Sequence, residues 1–230
     1  MAPAETASPT LRAATIGADG VASSIGKAPL HLGNSARLLY TGAGETCTRT
    51  LCLTNRSSKL SNGNAVQIPA IGIVEQGGTG KLTFSSPVKC ACVKTEGTTA
   101  TVVGPLEEAT LVLANSSAQE FEATTAFADD GGTKLNLVKR GTGALTLSGA
   151  STYKGTTTLE AGTLALAAGA SIAASSGLTV KGGVLAVSGT SALPPLTVSA
   201  GVNTLTVADG ATLTLNGLAV AAGTLNIVTT

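Results

Sequence analysis

The sequence predicts an all-β chain wound as a β-solenoid, and three observations carry that prediction. Short apolar-x-apolar runs recur along the 230-residue chain, each closed by Gly, Asn, Asp or Ser. Fragments of sequence recur as well: GTGKLTF at Gly78 to Phe84 echoes GTGALTL at Gly141 to Leu147, and AGTL occurs at Ala161 and at Ala222. Repeated strand-turn units mark a stacked repeat fold. Finally, only 2% of residues are aromatic and none is Trp. The interior must then be filled by Val, Leu, Ile and Ala, which suits a narrow, regular core.

Residues 1–9 are polar and Ala/Pro-rich and are expected to be a disordered lead. Residues 10–230 are expected to form one β-helix repeat domain. The strand-like runs follow in order: Leu38 to Tyr40, Leu51 to Leu53, Ile71 to Val74, Leu82 to Phe84, Thr101 to Val103 and Leu111 to Leu113. Then come Leu135 to Val138, Leu145 to Leu147, Leu164 to Leu166, Leu178 to Val180 and Val184 to Val187. Leu196 to Val198, Leu205 to Val207, Leu213 to Leu215 and Leu225 to Val228 complete the set. Period-two alternation gives each run one inward and one outward face, and Thr often takes the outward place. Asp130-Gly131-Gly132, Ser148-Gly149, Asp209-Gly210 and Asn216-Gly217 supply turn chemistry between runs. Leu106 to Ala128 contains helix formers, but Asn115-Ser116-Ser117 interrupts it, so two strands about a turn are expected there.

A β-sandwich also fits many short strands. The 63-residue separation of the two GTG-x-LT copies favours the solenoid, where equivalent motifs stack on successive coils. Repeats of about 20 or more residues at about 4.8 Å per strand predict on the order of ten coils and a rod roughly 50 Å long.

The formal charge of +1 and the lack of a basic patch interleaved with aromatics exclude a nucleic-acid footprint. No apolar run is long enough to cross a bilayer as a helix. MAPAETASPT lacks both a basic and an apolar signal region, so it reads as a mature N-terminus behind an added Met1, with a cytoplasmic protein as the alternative.

The segment Leu137 to Leu166, LVKRGTGALTLSGASTYKGTTTLEAGTLAL, resembles the autotransporter-associated β-strand repeat of bacterial surface proteins. Leu137, Lys139, Gly141, Gly143, Leu145, Leu147, Ser148, Gly149, Tyr153, Gly155, Thr157, Gly162 and Leu164 carry the likeness. Phe127 to Gly132 is similar to the lead-in of such repeats, and Ser35 to Gly44 with Thr50-Leu51 is similar to another of their segments. The resemblance implies a right-handed parallel β-helix, secreted or on a bacterial cell surface, exported by an outer-membrane translocator outside this chain. Repeats without a clustered polar site are expected to make a non-enzymatic structural or adhesive module whose partner is a cell-surface protein or glycan. Two features depart from the pattern: no translocator barrel follows, and there are four cysteines. The sequence therefore reads as part of a longer passenger or as a free-standing relative.

No catalytic, cofactor-binding or metal-ligating residues are expected. His31, the only histidine, lies in the strand-like Leu30-His31-Leu32 and reads as a surface residue. Glu107-Glu108, Glu120/Glu122 and Asp129-Asp130 are candidate acid pairs for a polysaccharide-active enzyme. Such chemistry needs two carboxyls facing each other across a groove, and these read as solvated turn charges. Cys47, Cys52, Cys90 and Cys92 read as disulfides between the two clusters, with a four-thiolate zinc site as rival. Thr-x-Thr at Thr99/Thr101, Thr156/Thr158, Thr204/Thr206 and Thr212/Thr214 is the pattern of ice-binding β-helices, here unevenly spaced. The apolar end at Leu225 to Val228 predicts end-to-end self-association.

Overall fold

Alternation of apolar and outward residues becomes architecture when successive strands lie side by side in parallel, so that each inward side chain rests on its equivalent one turn of chain later. The computed structural model describes residues 10–17, 23, 29–33, 35–55, 57–59, 65–67, 70–96, 99–104 and 107–230. Strands are numbered in chain order. The first long face joins β1 (Thr10–Ala13), β3 (Ala36–Tyr40), β8 (Ala70–Gln76), β12 (Glu108–Asn115), β14 (Lys134–Arg140), β16 (Thr156–Leu159), β18 (Gly177–Val180), β21 (Leu196–Val198) and β24 (Leu218–Val220). The second joins β4 (Glu45–Cys47), β9 (Gly80–Phe84), β13 (Gln119–Ala123), β15 (Ala144–Leu147), β17 (Thr163–Leu166), β19 (Gly183–Val187), β22 (Val202–Val207) and β25 (Thr224–Thr229). Every pairing within these two faces is parallel. Among the described residues there is no helix. The chain is thus a parallel β-helix, and the β-sandwich alternative, which needs antiparallel sheets, is excluded.

A third face changes along the rod. Near the start it is β2 (Leu30–Gly33), β5 (Leu51–Asn55) and β10 (Val88–Glu96), again parallel, with β11 (Thr99–Gly104) folded back antiparallel on β10. An antiparallel pair, β6 (Ser57–Lys59) and β7 (Ala65–Gln67), stands beside it. Near the end only β20 (Ser191–Leu193) and β23 (Leu213–Leu215) pair there. These insertions set the coil length. Register partners Ala36 and Gly72 are 36 residues apart and Ala70 and Ala109 are 39, against 20 for Leu137 and Thr157 and 18 for Leu178 and Leu196. Nine rungs result on the longer face, so the rod is about 40 Å long at about 4.8 Å per strand, somewhat shorter than the roughly 50 Å expected from repeats of about 20 residues.

The core is a set of columns. On the second face Leu82, Phe121, Leu145, Leu164, Leu185 and Leu205 succeed one another in register, all at most 3% exposed. Leu38, Val74, Leu113, Lys139, Leu159, Val180 and Val198 form a column on the first. All three Phe and both Tyr are buried, and the Phe84 and Phe121 rings stack at 5.7 Å between centroids. The two GTG-x-LT copies fall on β9 and β15, two rungs apart on one face. Leu106 to Ala128 contributes β12 and β13, two strands about a turn as expected. Residues 1–9, expected to form the lead, lie outside the described residues.

Candidate functional site

The segment with the densest motif is the place to ask what the chain does, and its residues are spent on stacking. Where the first face bends into the second, Gly143, Gly162 and Gly183 occupy one column. A Cβ at Gly143 would lie 2.1 Å from Ser116 O, one at Gly162 2.3 Å from Gly143 O, and one at Gly183 2.2 Å from Gly162 O. Successive corners therefore touch backbone to backbone. The same bend is lined inside by polar side chains that serve its carbonyls. Lys139, 1% exposed, donates from Nζ to Arg140 O (2.6 Å) and Gly141 O (2.8 Å). Asn115 Nδ2 donates to Gln119 O (2.9 Å) and Ala144 O (2.8 Å), and Gln76 Nε2 donates to Gly80 O (2.5 Å). Burial without a facing carboxylate pulls the Lys139 ammonium down to about 8.

At the next corner, Tyr153 is fully buried and its hydroxyl lies 2.6 Å from Thr157 Oγ1. Thr157 Oγ1 is 3.1 Å from Ser175 Oγ, which donates to Gly155 O at 2.7 Å. Burial raises the Tyr153 phenol above its ordinary value, against the opposing hydrogen bond to Thr157. The Y-x-G-x-T spacing of the motif is this network. Outside, Glu160 accepts from Arg140 Nε at 2.6 Å and lies 3.6 Å from Lys181 Nζ, a charge ladder over three rungs. The Arg140 hydrogen bond is the main cause holding the Glu160 carboxyl below its usual range.

The candidate acids do not converge on a catalytic pair. Asp129 Oδ1 accepts from Leu135 N (3.0 Å) and Lys154 N (3.1 Å). Asp130 Oδ2 accepts from Cys90 N at 2.8 Å, and its Oδ1 lies 3.2 Å from Lys89 Nζ. These two are staples between coils rather than solvated charges; their backbone-amide partners are not visible in a one-dimensional pattern. Glu108 accepts from Asn136 Nδ2 at 3.2 Å, and Glu122 pairs with Lys81 at 2.5 Å. Glu107 and Glu120 are exposed. A groove of about 340 Å³ opens along the first bend between Glu75-Gln76, Ala114 to Ser116 and Gly141-Thr142. Glu75 is its one carboxylate and is paired with Arg37 at 3.0 Å, so no second carboxyl faces it.

Cysteine placement bears on the expected pairings of Cys47 and Cys52 with Cys90, and leaves those with Cys92 outside the described residues. Register pairs Cys52 with Lys89 and Leu53 with Cys90, so Cys52 points outward and Cys90 inward on neighbouring strands. No disulfide joins Cys47, Cys52 and Cys90 to one another. The same opposition keeps Cys52 and Cys90 from sharing one zinc ion, and among the described residues no group of three or more His, Cys, Asp or Glu is placed to hold a metal. The Cys92 side chain lies outside the described residues. Cys90 is 5% exposed, and burial, with help from Asp130 and Asp129, pushes its thiol up to about 12. The Thr-x-Thr pairs fall on different surfaces: Thr156/Thr158 on β16, Thr204/Thr206 on β22, Thr99/Thr101 on β11, and Thr212/Thr214 around β23. They form no ice-matching array. His31 is exposed on β2.

The polar lining of the bend escaped sequence reading. Its signal is a polar residue at an inward position just before a turn, as at Gln76, Asn115 and Lys139.

Residues 137–166 match the family model of the passenger-associated-transport-repeat. The match covers the segment whose glycines, Lys139, Tyr153 and Thr157 build the two corners just described. No curated protein and no solved structure matches the chain. The passenger-type repeat suggests a secreted or cell-surface location.

Proposed function

We propose that the chain is a structural and adhesive surface module, a passenger-type rod that presents its flanks to a protein or glycan on another cell. The observation behind this reading is that the motif positions from Leu137 to Leu164 serve coil stacking and leave no cluster of reactive groups on a concave surface. A repeat spent on stiffness fits a spacer or adhesin better than an enzyme. Export would use an outer-membrane translocator outside this chain. The test is binding of the fluorescently labelled protein to a panel of host and bacterial cells by flow cytometry. Saturable, protease- or glycosidase-sensitive binding is expected. Turnover of any acidic polysaccharide above background would overturn the reading in favour of a β-helix enzyme.

A second reading, end-to-end self-association, rests on the last rungs. After Lys181 the only charged side chain is Asp209. Leu218, Val220, Ile227 and Val228 are 48%, 53%, 61% and 42% exposed on β24 and β25, and each of these strands is the edge of its sheet. Edge strands normally carry charges that block pairing. Sedimentation velocity should show concentration-dependent dimers that Ile227→Lys abolishes; a monomer at all concentrations would refute this.

A further inference from the structure

The last coil turns from the third face to the first on a two-residue bend, Asn216-Gly217, between β23 and β24. Register sets Leu215 over Leu193 and Leu218 over Leu196, so Asn216-Gly217 lies over Pro194-Pro195. Asn216 N donates to Leu193 O across a long 3.4 Å, and Gly217 O accepts from Leu196 N at 2.9 Å. The Pro195 carbonyl beneath accepts from Leu178 N, one rung further down. Among the described residues, the Gly217 N–H has no acceptor and the Asn216 side-chain amide has no partner. Both residues are exposed, and Gly217 has φ +150° with only Pro195 near the position of an added Cβ, 3.8 Å away.

We propose that Asn216 is a self-modification site: the folded chain converts it to aspartate and isoaspartate through a cyclic imide, and the new carboxylate blocks end-to-end association of the rod. The second half rests on the self-association reading above; the first half does not. The Gly217 nitrogen attacks Asn216 Cγ and closes a five-membered imide. Its proton passes to the side-chain nitrogen, whose bond to Cγ breaks to release ammonia. Water then adds to one imide carbonyl. Breaking the Cγ–N bond gives aspartate, and breaking the bond from the Asn216 backbone carbonyl to that nitrogen gives isoaspartate. Water is the only co-reactant. The attacking and attacked atoms belong to adjacent residues, so no separate elements have to approach. A backbone N–H held in a ladder resists this step, whereas that of Gly217 is outside one, and the missing Cβ leaves the approach open. Asn115, Asn136 and Asn203 do not compete: each is at most 9% exposed, has its Nδ2 donating, and is followed by Ser, Leu or Thr. Asp209 is otherwise the only charged side chain after Lys181. The new carboxylate adjoins Leu218, 48% exposed on β24, the outermost strand of its sheet. Two ends meeting there bring like charges onto apolar surface, which opposes pairing. Isoaspartate also lengthens the backbone by one carbon ahead of β24 and so displaces the bond from Leu196 N to Gly217 O.

The test incubates the full chain at pH 7.4 and 37 °C and maps the aspartate and isoaspartate products by peptide mass spectrometry. Asn62-Gly63 lies outside the described residues and is read on its own peptide. Conversion at Asn216 should run within about five-fold of its rate in the same protein unfolded in urea, as expected of an amide outside the hydrogen-bonded ladder. Slower conversion than that in the folded protein would overturn the modification, and this comparison needs no variant. Sedimentation velocity of Asn216→Asp should show association weakened about ten-fold against the unconverted chain. Association of Asn216→Asp equal to that of the unconverted chain would overturn the block alone. An unconverted chain that stays monomeric at all concentrations would overturn the block and the self-association reading together, while the peptide map still decides the modification.

Discussion

Replacing Gly162 by Ala probes the contact on which coil stacking depends. Gly162 has φ +77°, and its added Cβ would sit 2.3 Å from Gly143 O and 2.4 Å from Gly141 O. A left-handed backbone costs a residue with a side chain about 1–2 kcal/mol. Forcing two coils apart adds about 1–3 kcal/mol, the usual penalty of overpacking. The stiffer unfolded chain returns about 0.4–1 kcal/mol. The net loss is about 2–4 kcal/mol, which for a chain of this size lowers Tm by roughly 5–15 °C. Two controls separate the causes. Gly169 has φ +82° with nothing within 4 Å of its Cβ position, so Gly169→Ala carries the conformational cost alone, about 1 kcal/mol. Gly143 has no positive φ, but its Cβ would lie 2.1 Å from Ser116 O and 2.5 Å from Gln119 O, so Gly143→Ala carries the clash alone. Melting followed by far-ultraviolet circular dichroism should rank Gly162→Ala lowest and Gly169→Ala nearest to wild type. If Gly162→Ala and Gly143→Ala melt no lower than Gly169→Ala, the corners do not stack backbone on backbone.

Leu145→Ala should cost about 2–5 kcal/mol in urea unfolding, because the side chain is fully buried between Phe121 and Leu164 in its column. Stability should respond to alkali in two opposed ways. Lys139 titrates near 8 when folded against 10.5 unfolded, so the folded chain holds fewer protons in that interval and Lys139 contributes stability that rises with pH; Lys139→Met should remove the rise. Cys90 is displaced the other way, from 9.0 to about 12, so its contribution is lost as pH climbs above 9, and Cys90→Ala should flatten that fall in urea midpoints measured across pH. Glu160→Gln breaks the Arg140–Glu160–Lys181 ladder on the half-exposed surface and should cost under about 1 kcal/mol, with the difference vanishing in 1 M salt.

Much of the fold was legible because one dimension suffices for a solenoid. Leu145, Thr146 and Leu147 declare their faces by alternation, and the recurrence of GTG-x-LT declares that the strand containing them lies over an earlier equivalent. Uneven coil length was not legible, since the 39 residues from Ala70 to Ala109 include β10 on a third face, whose partner β5 lies on the preceding coil. The Cys52–Cys90 pairing was not legible for a related reason: C-x4-C and C-x-C give counts, whereas the parity of Cys52 and Cys90 across two strands decides whether they can meet. Asp129 and Asp130 looked like turn residues and proved to be acceptors for amides of other coils, at Lys154 and Cys90, a role set by tertiary placement. The buried Lys139 belonged to the recognised repeat, but its use, to satisfy the carbonyls of Arg140 and Gly141, emerged only with the inside of the bend in view.

The most direct measurement is a crystal structure of the chain. It should place Phe121, Leu145, Leu164, Leu185 and Leu205 in one inward column, each on the next parallel strand about 4.8 Å further along the rod. Antiparallel neighbours for β15, or a column in which Leu145 and Leu164 face different cores, would contradict it.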